Sequence, residues 1–135
     1  MLFQNIYAIV RARGLSPYVG SLHELRQGHP ALCSDLIEEF RAPIVDALVT
    51  LIVNKKIITP ADFYLPIDPE ERGCFLTAQG RRTFIEQFEK RMSSRVKHPH
   101  FGIRTTWRGI LDLQVSRYTR ALWEGPEFYE SFQIR

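Results

Sequence analysis

A chain of 135 residues, 44% apolar and 24% charged, holds one domain with a true core and is short for two. That balance excludes a disordered, collagen-like or disulfide-framework protein. The formal charge of +3 is only a mild pull toward polyanions, although arginine outnumbers lysine and its fork suits phosphate.

Met1-Leu-Phe-Gln-Asn5 has neither the basic segment nor the cleavage site of a secretory leader. Phe3, Ile6, Tyr7 and Val10 recur at helical spacing, so the chain opens on a helix ended by Gly14. This helix starts without a capping residue, as the continuation of something upstream. Ser16-Pro17 restarts the chain in a short turn leading to His23. Gln27-Gly-His-Pro30 is a loop, and Pro30 suits the first turn of the next helix. Leu32, Leu36, Phe40, Ile44, Leu48 and Leu51 then form an apolar stripe that runs through to Lys56, with Asp35, Glu38, Glu39, Arg41 and Asp46 opposite. Pro43 removes a backbone hydrogen bond inside the run, so a kink is expected there. Residues 44–53 are interrupted by Asp46 and Thr50 and are too short to span a bilayer, so a cytoplasmic protein without membrane association is expected.

Residues 57–73 are a proline-rich, acidic connection, with a short helix near 60–63 and at most a short hairpin near 64–77. Thr77 caps another helix whose apolar face is Phe84, Ile85 and Phe88. Residues 93–105 are basic and polar and read as a mobile surface loop. Residues 106–124 form a last helix, with Ile110, Leu113, Tyr118 and Leu122 inward and Arg108, Arg117 and Arg120 outward. The aromatic tail beyond it packs back onto the bundle. Cys33 and Cys74 lie outside any Cys-x-x-Cys spacing and are expected as reduced, buried thiols. The expected fold class is all-α, an irregular helical bundle forming a single helical domain over 1–135.

His23 arrives on a turn punctuated by Gly14, Pro17 and Gly20, close in sequence to Asp35 and Glu38. Those acids are three apart and share a helix face, while Glu39 points about 100° further round. An imidazole and a carboxylate converging from two elements suit a divalent cation. Acids near a helix start also simply favour the macrodipole, and a lone histidine more often packs or caps, so spacing alone leaves both readings open. Arg26 and Arg41 flank the acidic face, where a phosphate needs neutralising. Arg81, Arg82, Lys90, Arg91, Arg95, Lys97 and Arg104 are candidates for following a nucleic-acid backbone, the alternative for each group being a solvated face. His98 and His100 beside Trp107 make a weaker second metal or stacking combination. No Gly-x-x-x-x-Gly-Lys loop, Gly-x-Ser-x-Gly elbow or His-Glu-x-x-His is present, which leaves nucleotide hydrolysis, esterase and metalloprotease readings without support.

Gly14-Leu-Ser-Pro-Tyr-Val-Gly-Ser-Leu-His23, followed by Asp35-Leu-Ile-Glu-Glu-Phe-Arg41, resembles the signature of the CRISPR-associated adaptation integrase family, which inserts new spacers into CRISPR arrays. Phe75-Leu-Thr-Ala-Gln-Gly-Arg-Arg82 looks like its Leu-Thr-x-Glu-Gly-Arg segment. Tyr129-Glu-Ser-Phe-Gln-Ile-Arg135 looks like its Tyr-x-Pro-Phe-x-x-Arg terminus, with Ser131 in place of proline. The resemblance runs along the whole chain and is to the C-terminal helical part of such a protein. The family's β-rich dimerisation domain and the first part of its helical domain are expected upstream of Met1 and absent here.

The resemblance implies a divalent-metal-dependent DNA endonuclease and integrase of antiviral defence, using Mg²⁺ or Mn²⁺, in which a DNA 3′-hydroxyl attacks a phosphodiester. By that resemblance His23 and Glu38 are catalytic metal ligands and Asp35 is an auxiliary one. The family's remaining ligand, a glutamate, belongs to an upstream helix, so this chain alone is expected to have little or no activity. Protospacer and CRISPR-repeat DNA and a small ferredoxin-like partner are the implied partners. A homodimer through apolar surface around Phe3 and Tyr7 is a further expectation. The alternative function is a non-catalytic DNA- or partner-binding remnant of that integrase.

Overall fold

In a computed structural model the described residues, 1–23, 26–68, 70 and 72–133, form five α-helices and two short antiparallel hairpins. Helix α1 (Leu2–Ala12) buries Leu2, Ile6 and Val10, with the Phe3 and Tyr7 rings stacked beside them. It ends where expected. Gly14 takes a φ of +74°, the Leu15 N–H reaches back to the Val10 carbonyl and the Gly14 N–H to that of Arg11, a Schellman closure.

Helix α2 (Ala31–Phe40) runs through a π-helical segment, Arg41–Asp46, into α3 (Ala47–Asn54). The irregularity expected at Pro43 therefore takes the form of a wider turn. Pro43 has no N–H to donate and its ring crowds the carbonyl four residues back, and a π turn relieves both. Leu32, Leu36, Phe40, Ile44, Leu48 and Ile52 are buried, four residues apart throughout. At 3.6 residues per turn such a row rotates by about 40° at each step. The π segment winds it back, so Ile52 completes the stripe in place of Leu51: Ile52 is 3% exposed and Leu51 41%.

A capping box between Thr59 and Asp62 closes the 3₁₀ turn Pro60–Asp62. Strand β1 (Phe63–Tyr64) then pairs with β2 (Phe75–Leu76), a hairpin that begins one residue before the range expected for it. Thr77 accepts the Gly80 N–H at 3.1 Å and starts α4 (Ala78–Ser93), which buries Phe88 and Met92 but leaves Ile85 exposed.

Residues 93–105 are not the loop expected. Strand β3 (Arg95–Lys97) pairs with β4 (Arg104–Thr106), and at its end His98 is fully buried against Phe101 and Phe132. Helix α5 (Trp107–Glu124) packs on α1 and α4 and buries Trp107, Ile110, Leu111, Gln114 and Val115. Its inward face is thus rotated from the one expected: Leu113 and Tyr118 are half-buried and Leu122 is exposed. The tail returns as expected, with Phe132 between Phe40 and Trp107 at ring separations of 5.3 and 5.7 Å. Cys33 is buried, and burial pushes its thiol up to about 11; Cys74, beside the short β2 strand, is exposed, contrary to expectation. The class is the expected all-α bundle, with two small hairpins at its edges.

Candidate metal centre and nucleic-acid face

The turn carrying His23 crosses the start of α2 at Gly20. A Cβ there would stand 2.6 Å from Asp35 Oδ2 and 2.8 Å from the Ala31 carbonyl carbon, so only glycine lets the backbone in. Asp35 then grips the rest of the turn. Its Oδ2 accepts the N–H groups of Ser21 and Leu22 at 2.5 and 3.0 Å. Its Oδ1 accepts the His23 N–H at 2.9 Å and lies 2.6 Å from His23 Nδ1. Burial pushes the Asp35 carboxyl up, but the bonds from Leu22, the His23 ring, Ser21 and the His23 amide outweigh it and hold the group below the usual carboxylate range. A proton on Nδ1 directed at Asp35 leaves Nε2 as the lone-pair nitrogen. The His23 side chain is 43% exposed and lines an open recess of about 460 Å³ with Leu22, Arg26 and His29.

Three acids of α2 fan over one arc. At about 100° per residue, Glu38 and Glu39 mark its two edges and Asp35 falls between them. Asp35 is committed to the turn. Glu39 is committed to the other end of the chain: it accepts from the Tyr129 hydroxyl on one oxygen and from Gln114 Nε2 and the Phe132 N–H on the other. Glu38 faces solvent, and among the described residues its ion-pair partner is Arg41, with Nη1 at 3.5 Å. The structure thus joins His23 to Asp35. Among the described residues, no three His, Cys, Asp or Glu side chains converge on one point.

The candidate cations divide in the same way. Lys97 stands opposite Arg104 and Arg95 opposite Thr106, so Arg95, Lys97 and Arg104 project from one face of the β3–β4 hairpin, all exposed. Arg81 and Arg82 are exposed on the first turns of α4, and Arg26 is exposed at the rim of the His23 recess. Arg91 of α4 is different: it stacks over Trp107 and donates to the Pro43 carbonyl, bracing the π segment. His98 and His100 form no metal or stacking site with Trp107. His98 is a buried histidine 3.3 Å from Gln114 Oε1, and His100 pairs with Glu130 at 2.9 Å.

The family model for CRISPR associated protein Cas1 matches residues 1–90, which include the turn, the acidic arc and Arg81-Arg82. This chain belongs to the Cas1 family. It is 37% identical to CRISPR-associated endonuclease Cas1 3 of Thermus thermophilus over all 135 residues, and spans 40% of that relative's length. Two solved structures share the fold. A casposase bound to integration product has a TM-score of 0.79 at 26% identity, over 90% of this chain and 32% of that one. A partial Cas6-RT-Cas1–Cas2 complex has 0.80 at 23%, over 99% and 39%.

Within this Cas1-family chain, sequence reasoning missed Glu39, Tyr129, Gln114 and the Tyr118 hydroxyl, which lies 2.8 Å from Ser21 Oγ. Their partners are distant in sequence, and the one local signal was the place of Glu39 on the same arc as Asp35. Of the terminal motif, Ile134 and Arg135 lie outside the described residues.

Proposed function

We propose that this chain is the helical lobe of a Cas1 integrase, in which His23 and Glu38 contribute two ligands to a Mg²⁺ or Mn²⁺ ion acting on DNA. The observation that carries this is the Asp35–His23 Nδ1 contact at 2.6 Å, because histidines that ligate metals give their other ring N–H to a carboxylate or carbonyl. On this reading Asp35 orients the ring rather than ligating, since both its oxygens already accept hydrogen bonds. One imidazole and one free carboxylate form a donor set that Mn²⁺ takes, and Mg²⁺ takes with water completing the shell. When bound, such an ion polarises phosphodiester oxygens and stabilises the attacking and leaving oxygens.

The chain's own residues supply the rest of the proposed chemistry. Asp35 keeps the proton on Nδ1, Arg41 and Arg26 offer charge to a phosphate beside the centre, and the hairpin face of Arg95, Lys97 and Arg104, with Arg81 and Arg82, follows the DNA backbone. Two protein ligands hold such an ion weakly. We therefore expect little or no nuclease or integrase activity from this chain alone, the further acidic ligand coming from outside the described residues. The two structural relatives, one bound to an integration product and one in a complex with Cas2, support DNA and the small partner Cas2 as what it works with. The setting is cytoplasmic spacer acquisition on protospacer and CRISPR-repeat DNA, with a second copy as a further partner.

The test is Mn²⁺ titration read by loss of the free-Mn²⁺ electron paramagnetic resonance signal, alongside strand transfer on branched DNA. Mn²⁺ binding lost in both His23→Ala and Glu38→Ala is the expected result; binding that persists in both variants sinks the ligand pair. Robust metal-dependent cleavage by the chain alone, lost in His23→Ala, refutes the expected inactivity. The cationic hairpin also favours a second reading, a non-catalytic DNA-binding remnant. Its mark is salt-sensitive DNA binding that survives Glu38→Ala with no strand transfer when the rest of a Cas1 protein is supplied in trans.

A further inference from the structure

Resting on that ligand pair, we propose that Tyr118 and Tyr129 are positioning residues that hold the His23 turn and the Glu38 helix at a fixed separation. The two rings meet edge to face, 5.6 Å between centroids and 89° between planes. Each hydroxyl goes to a different half of the centre. Tyr118 Oη lies 2.8 Å from Ser21 Oγ, in the turn that delivers His23. Tyr129 donates to Glu39 Oε1, next along α2 from Glu38.

Glu39 transmits that hold. Gln114 Nε2 and the Phe132 N–H grip its other oxygen at 2.9 and 2.8 Å, so the side chain is fixed from three directions. Glu38 lies about 100° round the same helix, and pinning one acid sets the rotation that presents the other. Gln114 and Tyr118 stand one turn apart on α5, so a single rigid helix reaches both the turn and α2. Burial, and then the Glu39 contact, push the Tyr129 hydroxyl far above its usual range, which keeps it a donor.

The need for a tether is visible beneath the turn. An apolar cavity of about 380 Å³ lies there, lined by Leu22, Leu36, Tyr118, Ala121, Leu122 and Tyr129 among others. Leu22 belongs to the turn itself. A turn released by Tyr118 has apolar space to sink into, taking His23 away from Glu38.

The experiment titrates the full chain with Mn²⁺, reads bound metal from the loss of the free-Mn²⁺ electron paramagnetic resonance signal, and measures the urea unfolding midpoint of each variant. Tyr118→Phe and Tyr129→Phe keep the rings and remove only the hydroxyls. Each is expected to weaken Mn²⁺ binding roughly 10-fold, as loss of a residue supporting a ligand does, with the unfolding midpoint nearly unchanged in Tyr118→Phe and lowered in Tyr129→Phe, which removes a hydrogen bond to the Glu39 carboxylate. Ser21→Ala removes the Tyr118 partner from the exposed side; it should match Tyr118→Phe and add nothing to it. Phe variants that bind Mn²⁺ like the wild type, while His23→Ala abolishes binding, overturn the positioning role and leave the ligand pair standing. A wild type no different from His23→Ala overturns the ligand pair and this inference with it. A lowered midpoint with unchanged Mn²⁺ affinity assigns the tyrosines to packing alone, which also overturns it.

Discussion

Replacing Asp35 by Asn keeps the volume and one oxygen, but sets an NH₂ where the carboxylate has its second acceptor. Whichever way the amide turns, two donors then face a donor: the Ser21 and Leu22 N–H groups, or the two nitrogens of His23. A hydrogen bond to a charged group contributes about 1.5–3 kcal/mol, and an opposed donor adds to the loss. The turn residues are exposed, so water recovers part of it. About 1 kcal/mol for the two lost bonds together, after water's share, and about 1–2 kcal/mol for the opposed donors gives ~2–3 kcal/mol at neutral pH. For a chain of this size that lowers Tm by roughly 6–10 °C.

The pH dependence has a definite sign. Asp35 is held below the usual carboxylate range, so its stabilisation is complete above the pH where an unfolded aspartate ionises, about 3.9, and is lost as pH falls through the lower native value. The difference between wild type and Asp35→Asn should stay level from neutral pH down to about pH 4 and close below it. Urea unfolding followed by circular dichroism across that range measures it, with matching m-values as the check on two-state behaviour. A neutral-pH difference under about 0.5 kcal/mol, the scatter of ordinary surface substitutions, would refute the reasoning. So would a difference that persists undiminished in acid.

Gly20→Ala should cost about 1–3 kcal/mol, because its Cβ would overlap the Ala31 backbone, which cannot yield; unchanged urea stability would disprove the close approach. Ile52→Ala should cost about 2–4 kcal/mol and Leu51→Ala under about 1, and the reverse order would refute the register set by the π segment. Burial, with smaller contributions from His100 and Arg117, lowers the His98 pKa despite the Gln114 contact, so its ring should stay neutral as pH falls through the usual imidazole range. The unfolded chain takes up that proton near pH ~6.5 and the native one resists it, so stability falls on acidification from there; an NMR titration midpoint at or above the usual value would contradict this. Changing Arg95, Lys97 and Arg104 together to Ala should flatten the slope of log affinity for DNA against log salt by up to about 3, and an unaltered slope removes the hairpin from the DNA face.

The bundle and its first helix were legible because their signals are local: an apolar period, a glycine closing a helix, a threonine capping one. The errors have physical causes. Leu51 replaced Ile52 in the expected stripe because a 3.6-residue template was carried across a π segment that only the geometry at Pro43 reveals. In α5 the inward face includes Gln114, buried because Glu39 and His98 need its amide, and a polar residue there pulled the expected face toward Leu113 and Leu122. Residues 93–105 looked like a loop because the charges of Arg95 and Lys97 point outward on a strand whose inward residue is Val96.

The centre divides along the same line. His23 and Asp35 were legible as a pair because the turn and the helix start are 12 residues apart. The roles of the three acids were not, since each is decided by which donor reaches it. The donors to Glu39 lie 75 to 93 residues away and leave no local pattern. On one arc of α2, Asp35 is claimed by the turn and Glu39 by α5 and the tail. Those two claims fix the rotation of the helix, and the carboxylate at the far edge of the arc, Glu38, is left open to solvent, with Arg41 its ion-pair partner among the described residues. Availability for a cation is therefore a consequence of the contacts made by its neighbours. A substitution at Glu39 should then alter what Glu38 can hold without touching it.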